Sequence, residues 1–222
     1  MDNCVIGIIG AMDAEVEGFA SAMSGAEKRQ LAGSDVLTGR IGGRSVAVMR
    51  SGIGKVNAAF AAFALAREFG ARAIYSTGVA GALGGSLHML DVLVPDGFVQ
   101  YDVIKPGDPD GLIDVLGEIV VPPDAAMSGA LAAKCGAKRG LLATGERFVG
   151  CEADREDILR RFPKAVAADM ESGAIAQVCA RLGVPFACVR VISDSGDSAE
   201  YGDFKRRAAD KAVSAVLSAL GE

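Results

Sequence analysis

At 222 residues the chain is long enough to bury a sizeable core, and one domain spanning residues 1–222 is expected. Its 28 acidic and 23 basic side chains give a net charge of −5, with no block of like charge and no aromatic–basic interleaving, so nucleic acid is excluded as the expected partner. No stretch approaches the ~18 apolar residues of a membrane span, and the apolar run of the opening MDNCVIGIIG is too short for a signal peptide; a cytoplasmic protein without a membrane partner is expected.

Val5–Ile9 is a short β-branched run bounded by Gly10, which predicts a buried first strand. AMDAEVEGFASAM follows with Val16, Phe19, Ala20 and Met23 at helical spacing. Glu15 lies just past the small residues Gly10-Ala11 at the strand's end, as a site carboxylate or as a surface acid favoured by a helix start. Val36–Ile41 and Ser45–Arg50 read as a hairpin through Gly42-Gly43. SGIGKVNAAFAAFALAREFG is an Ala/Phe helix opened by a glycine turn. Its Gly54-Lys55 does not make a phosphate loop, because that motif needs Gly and Ser/Thr where Met49 and Val56 stand.

Arg72–Ser76 is a further strand, leading into TGVAGALGG, where Gly78 and Gly81 suit either a ligand-facing backbone or a tight turn. Leu90–Val94 and GFVQYDV are strands. The Pro/Gly/Asp-rich excursion KPGDPDGLIDVLGEIVVPPD has a composition expected to cover a site or an interface. Asp124–Cys135 is a helix and Lys138–Thr144 a strand. Phe148 in GERFV is a loop aromatic suited to stacking on a flat ring, or a core residue. Asp154–Phe162 is a helix, Pro185–Ile192 a buried strand containing Arg190 and delivering Ser193-Asp194, and Phe204–Leu220 a closing amphipathic helix. Strands alternate with helices throughout, so the fold class is α/β with a mostly parallel, mixed central sheet.

AVAADMESGA, at Ala165–Ala174, is the most informative stretch. A strand ends at Val166–Ala168, and Asp169-Met170-Glu171 follows before a helix over Ser172–Leu182. Open α/β sheets place ligands at such strand ends. Carboxylates there can accept hydrogen bonds from a sugar diol while a thioether covers an apolar face; the alternative is a helix N-terminus with favourable acids. Five scattered cysteines without a CxxC pair fit reduced thiols, and the single His88 is read as structural; neither a metal nor a cofactor is expected.

GIIGAMDAEV, SGIGKVNAA, STGVAGAL, ATGERFV, AADMES and VRVISDSGD, in that order along nearly the whole chain, resemble the 5′-methylthioadenosine/S-adenosylhomocysteine nucleosidases of the nucleoside phosphorylase superfamily. The resemblance implies a three-layer α/β/α domain, usually a homodimer, that hydrolyses the bond between adenine and a 5′-thio-substituted ribose. It implies that Asp194 is the general acid, that Glu15 positions and activates water and that Arg190 lies near that water. Glu171 would bind the ribose hydroxyls, Met170 lie under the sugar, and Phe148 and Val149 contact adenine. Ile53 and Tyr201 would surround the 5′-thio end, with Ala11, Met12, Val79, Asp169 and Ser193 completing the binding set. Such chemistry needs a protonated carboxyl beside the departing base and carboxylates near the cationic sugar.

Relative to the family pattern, Val79 stands where many members have Ser and Asp169 where Glu is common. Tyr101-Asp102 replaces His-Asp, and the loop after it is shorter than the one that helps form the family's 5′ subsite. Two competing expectations are a phosphorylase, which would need a cationic cradle, and a nucleoside sensor without catalysis.

Overall fold

The structure, a computed structural model, describes residues 4–195 and 198–222. Met1–Asn3, and Gly196-Asp197 of the VRVISDSGD motif, lie outside the described residues. β1 (Val5–Gly10) alternates its side chains between two faces, Ile8 entering one core and Ile9 the other. The helix predicted after it is broken into a 3-10 turn (Asp13–Glu15) and α1 (Glu17–Ala22). The break arises because Glu15 turns its carboxylate back onto the main chain and Val16 leaves helical geometry, at φ −126° and ψ −23°.

β2 (Ser24–Leu31) was not foreseen, because SGAEKRQL shows no apolar alternation and stays exposed except at Leu31, pairing with β3 alone. β3 (Ser34–Ile41) and β4 (Arg44–Arg50) form the predicted hairpin, followed by α2 (Lys55–Arg67). β5 (Ala71–Ala82) extends past the predicted Arg72–Ser76 through TGVAGA, whose glycines suit a ligand-facing backbone or a tight turn. Only Val92–Leu93 forms β6 and Gly97–Gln100 forms β7. α3 (Ala125–Cys135) opens on Asp124, whose carboxylate accepts the Met127 N–H at 2.9 Å, and closes on left-handed Gly136. Then come β8 (Leu141–Thr144), α4 (Glu152–Arg161), β9 (Ala165–Asp169), α5 (Ser172–Leu182), β10 (Phe186–Asp194) and α6 (Ser198–Leu220).

The strands join in one mixed sheet, in the order β2-β3-β4-β1-β5-β9-β8-β7, with β10 beside β5 and β6 beside β10. The pairs β1–β4, β1–β5, β5–β10, β7–β8 and β8–β9 are parallel; β2–β3, β3–β4, β5–β9 and β6–β10 are antiparallel. Helices α2 and α5 pack on each other over one face, against Ile9, Met49 and Ile74. α1, α3 and α6 cover the other face, against Ile8, Val48 and Val189. The chain thus forms the expected three-layer α/β/α arrangement.

One irregularity in this sheet opens the site. β1 pairs with β5 as far as Ile9 and Ser76, and β9 joins β5 only at Gly81, opposite Ala168. Between them, residues 77–80 of β5 have no strand partner on that edge. The gap lies at the carboxyl ends of β1, β9 and β10, where ligands bind in open α/β sheets. The excursion after β7 does not cover it. Its Val121 pairs with Phe98 and its Ile113 is buried, while Ile104, Val115 and Val120 stay exposed. Ile74, fully buried in the first half of β5, is expected to cost roughly 2–5 kcal/mol on truncation to alanine. Urea unfolding of Ile74→Ala should show a lower midpoint at unchanged slope, and an unchanged midpoint would contradict this account of the core.

Candidate active site

Glu15 fills the gap in strand pairing. Its Oε2 accepts the main-chain N–H groups of Ala11 (2.7 Å) and Met12 (3.0 Å), and its Oε1 accepts that of Val79 (3.1 Å), the β5 donor left without a strand partner. Glu15 is only 3 % exposed. Burial pushes its carboxyl above the usual range, against the opposing pull of the Arg190 field and of the Met12, Val79 and Ala11 N–H groups. Gly78 and Gly81 allow two carboxylates to come this close to β5. A Cβ at Gly78 would lie 2.6 Å from Glu15 Oε1, and one at Gly81 would lie 2.8 Å from Asp194 Oδ1. These glycines therefore make room for acids of the protein itself.

Arg190 and Asp169 form a buried pair beneath the gap. Arg190 Nε donates to Asp169 Oδ2 at 3.0 Å, Nη2 to Ser76 Oγ at 3.1 Å and Nη1 to the Val189 carbonyl at 3.1 Å. Asp169 also accepts the Thr144 hydroxyl (2.6 Å) and the N–H (3.0 Å) and hydroxyl of Ser172. Asp169 borders the hollow with both carboxylate oxygens already engaged, and Arg190 is not among the lining residues. The family resemblance implies that Arg190 lies near the attacking water; in the structure it stands outside the lining, with one N–H of each guanidinium nitrogen donated to Asp169, Ser76 and the Val189 carbonyl.

Glu171 immediately precedes α5 and is 8 % exposed; its Oε1 accepts the Gly54 N–H at 3.0 Å. Burial, reinforced by the neighbouring Asp169 carboxylate, pushes its pKa up to about 7. Asp194, 2 % exposed, ends β10, and its Oδ2 accepts the Ser193 hydroxyl at 2.8 Å. Glu15, Glu171 and Asp194 come from three separate strand ends and line one hollow. Ala11, Met12, Ile53, Val79, Phe148, Val149, Met170, Ser193 and Tyr201 line it as well. Phe148, 41 % exposed, meets Tyr201 edge-on, with ring centroids 5.4 Å apart, and the Tyr201 hydroxyl lies 3.3 Å from Met12 Sδ.

Ala80, Arg147 and Ala168 also line the hollow without having been foreseen, as does Gly81, which the sequence offered as ligand-facing backbone or a tight turn. Gly81 carried a signal in the paired glycines of TGVAGA; the small apolar Ala80 and Ala168 carried none. Thr144, Ser172 and Ser76, which hold the Arg190–Asp169 pair, are single hydroxyls whose convergence only the fold reveals. His88 is exposed and not among the lining residues, its N–H donating to Asp91 Oδ2 at 2.8 Å. Among the described residues no cluster of three His, Cys, Asp or Glu side chains could hold a metal, and no helix is long and apolar enough to cross a membrane.

The family described as the Phosphorylase superfamily matches residues 5–221. A 5′-methylthioadenosine/S-adenosylhomocysteine nucleosidase of Halalkalibacterium halodurans is 37 % identical, over 97 % of each chain. The Neisseria meningitidis nucleosidase of that name, solved with methylthio-immucillin-A, superposes with a TM-score of 0.94 at 30 % identity, covering 97 % of this chain and 98 % of the other. Futalosine hydrolase of Helicobacter pylori superposes at 0.93 with 28 % identity, covering 98 % and 97 %. Within the superfamily, the chain belongs to the family of the 5′-methylthioadenosine/S-adenosylhomocysteine nucleosidases.

The raised pKa of Glu171 has a stability consequence. Its pKa lies near 4.5 in the unfolded chain and about 7 in the fold, so ionisation penalises the folded state increasingly between those values and fully above them. Glu171→Gln removes that penalty while keeping an acceptor for the Gly54 N–H. Its stability relative to the parent should rise from pH 4.5 to pH 8 by on the order of 2–3 kcal/mol. Parallel stability–pH curves from denaturant titration would rule this out.

Proposed function

We propose that the protein is a cytoplasmic N-ribosyl hydrolase that releases adenine from 5′-thio-substituted adenine nucleosides, methylthioadenosine and S-adenosylhomocysteine, as one catalytic domain in a homodimer. Such an activity would serve methionine salvage. The observation that carries the reading is the convergence of Glu15, Glu171 and Asp194 on a single hollow with Phe148 and Met170 in its walls. The names of the relatives support the substrate class.

Asp194, buried at the end of β10, protonates the departing adenine, and Phe148 stacks on the base while the Val149 main chain reads its edge. Glu171 accepts hydrogen bonds from the ribose hydroxyls, strengthening as the sugar becomes cationic. Glu15 holds and activates the attacking water. Ala11 and Met12 bring their N–H groups to Glu15, and Met170 supplies an apolar face under the sugar. Asp169 and Arg190 act as positioning residues, fixing the acid-Met-acid turn from below. Hydrolysis is favoured over phosphorolysis because four acids line the hollow and its one lining cation among the described residues, Arg147, is paired with Asp154 at 2.7 Å. A phosphate dianion entering such a site meets strong repulsion.

A second reading keeps this chemistry and changes the 5′ group to one with a polar arm. It is favoured by the Tyr201 hydroxyl, whose partner among the described residues is a thioether, a weak acceptor, and by the structural likeness to futalosine hydrolase. The homodimer is supported by α2, which buries Ala58, Ala61, Ala62 and Leu65 yet exposes Val56 at 80 %, Phe60 at 43 % and Phe63 at 50 %. Apolar side chains exposed on the outer side of a helix mark an association surface.

Purified protein without phosphate should release adenine from methylthioadenosine, and Asp194→Asn should lose ~10²–10⁴-fold in kcat. Adenine release as fast as the parent's in that variant would exclude the assigned role. Dependence on phosphate with formation of a ribose-1-phosphate product would exclude the hydrolase, and tight nucleoside binding without adenine release would identify a sensor. A panel varying the 5′ arm separates the two hydrolase readings by their kcat/KM ratios. In sedimentation velocity the parent should run as a dimer and Phe60→Glu/Phe63→Glu as a monomer; a monomeric parent would contradict the proposed interface.

A further inference from the structure

The loop that carries Phe148 and Val149 is held by groups that lie outside the hollow. At the end of β7, Tyr101 and Asp102 grip both sides of its main chain. The Tyr101 hydroxyl donates to the Arg147 carbonyl at 3.0 Å, and Asp102 Oδ2 accepts the Glu146 N–H at 2.9 Å. The other oxygen of Asp102 accepts Lys55 Nζ at 2.5 Å, and Lys55 Nζ also donates to Gln100 Oε1 at 3.2 Å. The ion pair is largely shielded from water, with side-chain exposures of 18 % for Lys55 and 27 % for Asp102.

Lys55 is the first residue of α2, and the start of that helix faces the same loop. Its N–H donates to Glu146 Oε1 at 2.7 Å, and the preceding Gly54 N–H donates to Glu171 Oε1 at 3.0 Å. The Gly-Lys pair that resembled a phosphate loop therefore holds two carboxylates of the protein, one on the Phe148 loop and one in the hollow. Asp102 closes this circuit, since each of its oxygens serves a different element.

We propose that Asp102 and Lys55 are positioning residues for the glycosidic reaction, holding the Phe148 loop in register with the start of α2, whose Gly54 N–H binds Glu171. This rests on the reading of Phe148 and Val149 as adenine contacts and Glu171 as the ribose ligand. Neither Asp102 nor Lys55 lines the hollow, so both act through the loop. Asparagine at 102 can satisfy only one of the two donors, and alanine neither. Charge-assisted hydrogen bonds of this kind are stronger than neutral ones, and their loss should loosen the adenine wall before it unfolds the protein.

The test measures adenine affinity by calorimetry, with kcat and KM for methylthioadenosine, on the full chain. Asp102→Ala should weaken adenine binding and raise KM about tenfold with a smaller change in kcat, and Asp102→Asn should fall between it and the parent. In a Phe148→Ala background the same Asp102→Ala change should cost clearly less than in the parent, because one of the two base contacts that the loop presents is already gone. Full additivity with Phe148→Ala, or adenine affinity unchanged in Asp102→Ala, would overturn the proposal. If Asp102→Ala fails to fold, Lys55→Met carries the test, since it removes the ammonium and keeps the main-chain N–H. It should weaken adenine binding by about threefold or more, and an unchanged affinity overturns the proposal. Failure of the underlying functional reading would show in the parent itself, as no adenine release and no adenine binding.

Discussion

Buried carboxylates that share a low-dielectric hollow repel one another, and the architecture of this site follows from how that repulsion is contained. Arg190 is the counter-ion. It is fixed on β10 by Asp169, Ser76 and the Val189 carbonyl, and its charge acts on both Glu15 and Glu171. Main-chain N–H groups supply the rest: three for Glu15, from the β1 end and from β5, and one for Glu171, from the start of α2. These donors are rigid parts of the sheet and helix, so the acids are oriented before any substrate arrives. Burial still keeps Glu15 and Glu171 above their ordinary pKa values.

The sheet makes this possible by failing to pair. β1 ends one stretch short of β9 along the same edge of β5, and the unpaired Val79 N–H is satisfied by a side chain instead of a strand. A fully paired β5 would leave no place for Glu15 and no hollow between β1, β9 and β10. The two glycines of TGVAGA give the same strand its second property, a backbone bare enough for Glu15 and Asp194 to rest against it.

Much of the fold was legible because β-branched runs such as VIGIIG and PFACVRVI and the Ala-rich helices carry unambiguous periods. The misses have physical reasons. SGAEKRQL forms a strand through pairing with β3 while burying almost nothing, so it left no hydrophobic trace. TGVAGA looks like a turn because its glycines answer to close packing rather than to a bend. α1 is cut short by a carboxylate returning to its own main chain, a tertiary demand of the site. Of the residues that the acid-marked strand ends and the family resemblance single out for the site, all but Arg190 line the hollow; the acids carry a local signal, whereas Ile53, Val79 and Tyr201 are named through the resemblance alone. Arg190 and the hydroxyls of Thr144, Ser172 and Ser76 belong to a support layer that no single segment announces.

The central claim is that three acids remote in sequence act on one nucleoside. It is tested most directly by a crystal structure of the Asp194→Asn protein with methylthioadenosine bound. The account predicts an adenine ring nitrogen within hydrogen-bond distance of residue 194, ribose hydroxyls on Glu171, and an ordered water on Glu15 facing the anomeric carbon. A nucleoside bound outside this hollow, or any of these three side chains turned away from the bound ligand, would contradict it.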